Sequence, residues 1–122
     1  MPQLYLEHSP NILEEIDPKK LFFPCHRILV ETCNALLQSC QSRIIAHRDY
    51  FIGDGNPENA FVLLEIFLLE GRTLEALQAA KEETLDHLER YFSLSRRERQ
   101  LQITVVISQV PLALHKKNFP FL

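Results

Sequence analysis

The 122-residue chain has no excess of basic charge, no long apolar run and only three cysteines. Thirteen Lys and Arg face sixteen Asp and Glu, for a net charge of −3. Binding a phosphate backbone needs a basic face, so nucleic acid is not expected as a partner. No apolar stretch reaches the roughly eighteen residues needed to cross a bilayer, so no membrane span is expected. The opening MPQLYLEHS has neither a basic leader region nor an apolar core and does not read as a signal peptide. Cys25, Cys33 and Cys40 are odd in number, which fits a reducing cytoplasm better than a disulfide framework. They recur with Leu21, Ile28, Leu29 and Leu36 at helical spacing, as small apolar residues of a core stripe would.

What is present suits one globular domain over residues 1–122, with 46% hydrophobic and 24% charged residues. Residues 3–8 alternate Leu4 and Leu6 with Tyr5 and Glu7 and predict a strand. Asp17-Pro18 reads as a helix start that Pro24 breaks, so the main helix is expected from about 24 to 40. A second strand is expected over 42–52, followed by the dense turn signal GDGNPEN at 53–59. AFVLLEIFLLEG is apolar at both alternating sets, interrupted by Glu65, which predicts a strand covered on both faces. Thr73 caps a second helix with Leu74, Leu77, Leu85, Leu88 and Phe92 inward. LSRRER at 94–99 reads as a polar connection and 101–110 as the last strand, while the tail LALHKKNFPFL has no assignable period.

The order strand–helix–strand, twice, predicts an α+β fold: a duplicated βαβ unit forming a four-stranded mixed sheet with two helices on one face. Two helices cover one side of such a sheet. The second apolar row of 60–69 then needs a partner, which a homo-oligomer supplies.

Three blocks carry a family resemblance: MPQLYLEHSPNI, then SRI at 42–44, then NAFVLLEIFLLEGRTLEALQAAKEE at 59–83. In order and spacing they resemble the 5-carboxymethyl-2-hydroxymuconate isomerases of the tautomerase superfamily, with GRTLE the most distinctive block. The likeness is good from about 2 to 92, and HKKNF loosely resembles the end of the family. The resemblance implies a homotrimer of tautomerase-like (MIF-like) subunits, a small anionic substrate and no cofactor. It implies enol–keto isomerisation of an unsaturated 2-hydroxy acid in the breakdown of aromatic compounds such as homoprotocatechuate.

Pro2 is the expected catalytic base. A methionine ahead of a small residue is commonly removed, which frees proline's secondary amine, and burial or nearby cations lower an amine's pKa toward working pH. The resemblance makes Arg72, in GRTLE, a substrate-contacting residue; its fork matches a carboxylate and its strand-to-helix junction offers backbone donors. The family carries an arginine pair two residues apart where this chain has Gln41 and Arg43. Glutamine hydrogen-bonds without supplying charge, so the substrate here could carry fewer carboxylates, or Arg48 or His47 could compensate. This departure keeps two alternatives open: a decarboxylase or hydratase of the same fold, and a trimeric binding protein. Asp54, Asn56 and Glu58 suggest a turn and not a calcium loop, since Asn59 stands where that loop needs glycine. Cys25-His26 lacks a second ligand pair for zinc, and Arg96, Arg97 and Arg99 read as a solvated connection. Glu7 is open between orienting Pro2 and an ion pair, and His8 is unassigned.

Overall fold

The chain is seen in a computed structural model that describes residues 1–121; Leu122, which ends the tail, lies outside them. Its centre is β1 (Gln3–His8), flanked by β2 (Gln41–Ala46) and β3 (Asn59–Leu69), with β4 (Gln100–Val110) outside β3. β2 runs parallel to β1 and β4 parallel to β3, while β1 and β3 are antiparallel. Each parallel pair is bridged by a helix, α1 (Pro18–Cys33) or α2 (Leu74–Tyr91), so the expected duplicated βαβ sheet is the architecture observed.

Both helices share one face. Leu4, Leu6, Val62, Leu64, Ile66 and Leu68 point into a single core with Leu21, Cys25, Leu29, Cys33, Ala80 and Leu88. Full burial of each large aliphatic side chain contributes roughly 1.5–3 kcal/mol. The three cysteines are free and buried, and burial pushes the Cys25 thiol up to about 12.

Four local expectations are corrected. α1 starts at Pro18, where Asp17 accepts from the Lys19 and Lys20 amides, and it carries Pro24 inside. One lost backbone bond is outweighed by the buried stripe from Leu21 to Cys33. It ends where Asn34 adopts a left-handed conformation, φ 55°, so Leu36 is left 59% exposed and Cys40 lies beyond a 3-10 turn over Leu37–Ser39. β2 stops at Ala46 and not at 52 because its partner runs out: the His47 amide takes the carbonyl of His8, the last residue of β1. Residues 93–98 form a short helix, α3 (Ser93–Glu98), whose buried Ser95 donates its amide and hydroxyl to the carboxylate of Glu14 in the β1–α1 connection. Leu74 opens α2 and is 69% exposed, while Ala80 and Thr84 take the inner positions with Leu88.

The second row of β3, Phe61, Leu63, Glu65, Phe67 and Leu69, stays half-exposed within the single chain. Tyr5 meets Phe67 edge-on at 5.5 Å, and Ser108 donates to Glu65 at 3.3 Å. Among the described helices none is long and apolar enough to cross a membrane.

Candidate active site

β1 and β2 begin, and β3 and β4 end, at the same edge of the sheet. Pro2 lies there, its side chain fully buried and its carbonyl accepting from the Gln41 amide at 3.2 Å. Arg72 arrives at this edge because β3 closes in a sharp turn. Gly71 has φ 118°, which an L side chain rarely adopts, and a Cβ there would meet no neighbour, so backbone conformation alone calls for glycine. Thr73 then opens α2, its hydroxyl accepting from the Ala76 amide at 3.1 Å.

Arg72 is anchored. Its Nε donates to the Cys33 carbonyl at 3.0 Å and its Nη1 to the Leu69 carbonyl at 2.9 Å. Cys33 ends α1, where carbonyls lack intrahelical partners and a cation is favoured. Two of the guanidinium's five N–H donors are thereby spent, and the others remain for a ligand.

The tail crosses the same edge. After β4 the Leu112 amide binds Glu70 at 2.9 Å, and further on Lys117 Nζ donates to Ser39 Oγ at 3.0 Å. Lys117 also stands 4.8 Å from the Phe119 ring centroid. The chain's amino group, here on Met1 beside Pro2, is held below its ordinary pKa by burial first, then by Lys117 and Arg72, with Cys40 opposing. Burial raises the Cys40 thiol, tempered by the amine and Lys117.

Pro2 and Arg72 are thus brought to one place, and Gln41 and Arg43 to another. Gln41 is exposed and accepts from Gln3 at 3.3 Å, while Arg43 donates to Gln3 and lies 4.2 Å above the Tyr5 ring. Gln3, Tyr5, Gln41 and Arg43 share the sheet face turned away from the helices. Neither suggested compensator reaches Pro2. His47 pairs with Glu7 at 2.8 Å toward the far end of β1, and Arg48 is not in β2 at all but pairs with Asp49 in solvent. Glu7 is therefore engaged by His47, away from Pro2, and buried His8 binds the Ser9 carbonyl at 2.7 Å. Asp54 and Asn56 turn their side chains onto the amides two residues on, at 3.0 and 2.9 Å, as turn residues do. Lys117 was individually invisible in the sequence; the aperiodic HKKNF carried its only signal.

A half-buried amino terminus near two cations, with unspent guanidinium donors at the same edge, suits proton transfer on a small anion. Comparison with known proteins points the same way. Residues 2–120 match the family model of 5-carboxymethyl-2-hydroxymuconate isomerase. The chain is 28% identical over 118 residues to the 5-carboxymethyl-2-hydroxymuconate Delta-isomerase of Escherichia coli, covering 97% of this chain and 94% of that protein. The crystal structure of a 5-carboxymethyl-2-hydroxymuconate isomerase from Deinococcus radiodurans R1 superposes with a TM-score of 0.82 at 22% identity, over 96% of this chain and 88% of that one. A fused 4-OT described as a symmetric trimer superposes with a TM-score of 0.69 at 18% identity, over 90% of this chain and 86% of that one.

Proposed function

The chain belongs to the 5-carboxymethyl-2-hydroxymuconate isomerase family, and we propose that Pro2, freed by removal of Met1, is the general base of an enol–keto isomerisation. The substrate is an unsaturated 2-hydroxy carboxylic acid of the 5-carboxymethyl-2-hydroxymuconate kind, met in the cytoplasmic breakdown of aromatic acids. The observation that supports this reading is the fully buried Pro2 at the same edge of the sheet as Arg72, anchored with donors to spare, and Lys117, two cations that lower the pKa of an amine beside them.

The step balances without a cofactor. The neutral proline nitrogen takes the proton of the 2-hydroxyl group, and the electron pair moves through the conjugated system. The same proton is returned at a remote carbon, leaving an unsaturated ketone and the free amine. Arg72 holds the carboxylate beside the reacting oxygen, its anchoring to two carbonyls fixing the fork before substrate arrives. Because the unprotonated amine is the active form, kcat/KM rises with pH through the amine's pKa and levels off above it.

The chain works as a homotrimer on this reading, as the fused 4-OT does. The half-exposed row of β3 and the outer side of Tyr5 supply the apolar surface for it. A second reading rests on Gln41. With one cation fewer on the outer face than the family pattern, the same fold serves a different acid, by decarboxylation or hydration, or binds without turnover. Intact mass and kinetics test these together. The expected result is a chain lacking Met1 that ketonises the enol of phenylpyruvate or 2-hydroxymuconate, with that activity lost in Pro2→Ala. Turnover untouched by Pro2→Ala removes the proline mechanism.

A further inference from the structure

Lys117 is carried to the Pro2 edge by a segment with no regular structure of its own. Its ammonium rests on Ser39, a buried residue that ends the turn leading through Cys40 to Gln41, whose amide binds the Pro2 carbonyl. Two cations, Lys117 and Arg72, and the amino terminus therefore share one edge, and among the described residues no carboxylate is paired with either cation. Such an arrangement has positive potential that an anion relieves.

The two cations differ in how they are held. Arg72 is tied to two backbone carbonyls. Lys117 is exposed and held by one hydroxyl and one ring face, so two of its three ammonium donors stay available and its flexible stem can follow a ligand. The Gln41 side chain is turned to the other face and occupied by Gln3, so it cannot take this place.

We infer that Lys117 is a substrate-binding residue that receives a second carboxylate, distant from the one on Arg72, and so supplies at this edge the charge Gln41 does not. The inference rests on the isomerase reading above. It selects dicarboxylic over monocarboxylic unsaturated acids. Arg72, Lys117 and Cys40 are the groups that act on the amine of Met1; with Met1 removed, loss of Lys117 is expected to raise the pKa of the Pro2 amine.

The test uses Lys117→Gln and Lys117→Arg in the chain without Met1. Two unreactive probes, trans,trans-muconate and sorbate, differ by one carboxylate and report binding by calorimetry without turnover. Lys117→Gln is expected to weaken muconate about tenfold, the worth of one charge-assisted hydrogen bond at an exposed site, and to leave sorbate within about threefold. Lys117→Arg is expected to restore muconate. With 2-hydroxymuconate, KM rises in Lys117→Gln more than kcat falls, and the acid limb of the pH profile moves up by about half a unit or more. Equal binding of both probes by Lys117→Gln and the parent overturns the inference, as does an equal loss on both. If that happens while Pro2→Ala still abolishes turnover, the isomerase reading survives; if Pro2→Ala is fully active, that reading fails by itself.

Discussion

Arg72 separates two jobs that one substitution alone would confuse, holding the fold and, on the proposed reading, holding an anion. Its bonds to Cys33 and Leu69, at 3.0 and 2.9 Å, join the end of α1 to the end of β3. Hydrogen bonds from a charged donor contribute about 1.5–3 kcal/mol each when well buried; Arg72 is half-buried, so about 1 kcal/mol each is reasonable. α1 has no basic residue in its own last turn, so Arg72 also supplies the cation its dipole favours, worth a further 0.3–1 kcal/mol or so. Arg72→Ala is therefore expected to lose about 2–3 kcal/mol of stability. Arg72→Lys reaches one carbonyl at most and recovers about half of that. The measurement is urea unfolding at one fixed protein concentration, since assembly couples to stability. Kinetics of phenylpyruvate ketonisation are read beside it, where both variants are expected to raise KM at least tenfold because neither keeps the fork. An Arg72→Ala protein within about 0.5 kcal/mol of the parent at unchanged m-value would refute the anchoring argument.

Asn34 holds the left-handed cap of α1 at φ 55°, so Asn34→Gly is expected to leave the melting temperature nearly unchanged and Asn34→Ala to cost about 1 kcal/mol. His26 Nε2 meets Ser42 Oγ at 2.6 Å, and burial holds its pKa below the ordinary value. The folded state therefore prefers neutral imidazole, so this contribution is complete above about pH 6.5 and is lost as pH falls from there toward the folded pKa. Thermal melts of the parent should drop across that window and those of His26→Gln should drop less. All three thiols are buried; a thiol reagent should find them slow in the native protein and fast in denaturant, with Cys25, its pKa about 12, the slowest. Val106, 40% exposed and level with Glu65, tests the outer sheet face: Val106→Lys is expected to shift the light-scattering mass toward one chain, and an unchanged mass would remove this face from the interface.

The periodic parts were legible from the residues. Leu4 and Leu6, the even row of β3 and the alternation of β4 each record one buried face directly. The misread parts depend on something outside their own window. β2 ends at Ala46 because β1 is short, and no property of 47–52 reveals that. Pro24 looks like a break until the packed stripe around it is known. The site divides the same way. Pro2 and Arg72 were locatable through the family resemblance of MPQLYLEHSPNI and GRTLE, since a proline ahead of a strand or an arginine at a strand-to-helix junction does not by itself mark a site. The direction of Arg43 depends on its pairing with Tyr5 across the sheet, and Lys117 reaches Ser39 over 78 residues of intervening chain.

The tail's path also sets an order of events in synthesis. Pro2 is made well before Lys117, yet they come to one edge of the sheet. A nascent chain thus carries Pro2 uncovered until the later strands are made, and the bond between Met1 and Pro2 is open to the processing enzyme during that interval. Once β1 is paired on both sides, Pro2 is fully buried, and the opportunity closes. The timing of methionine removal relative to folding, and not the sequence alone, then decides what fraction of molecules carries a basic amine. On the proline-base reading proposed above, a protein made faster than it is processed would fold correctly and remain inert.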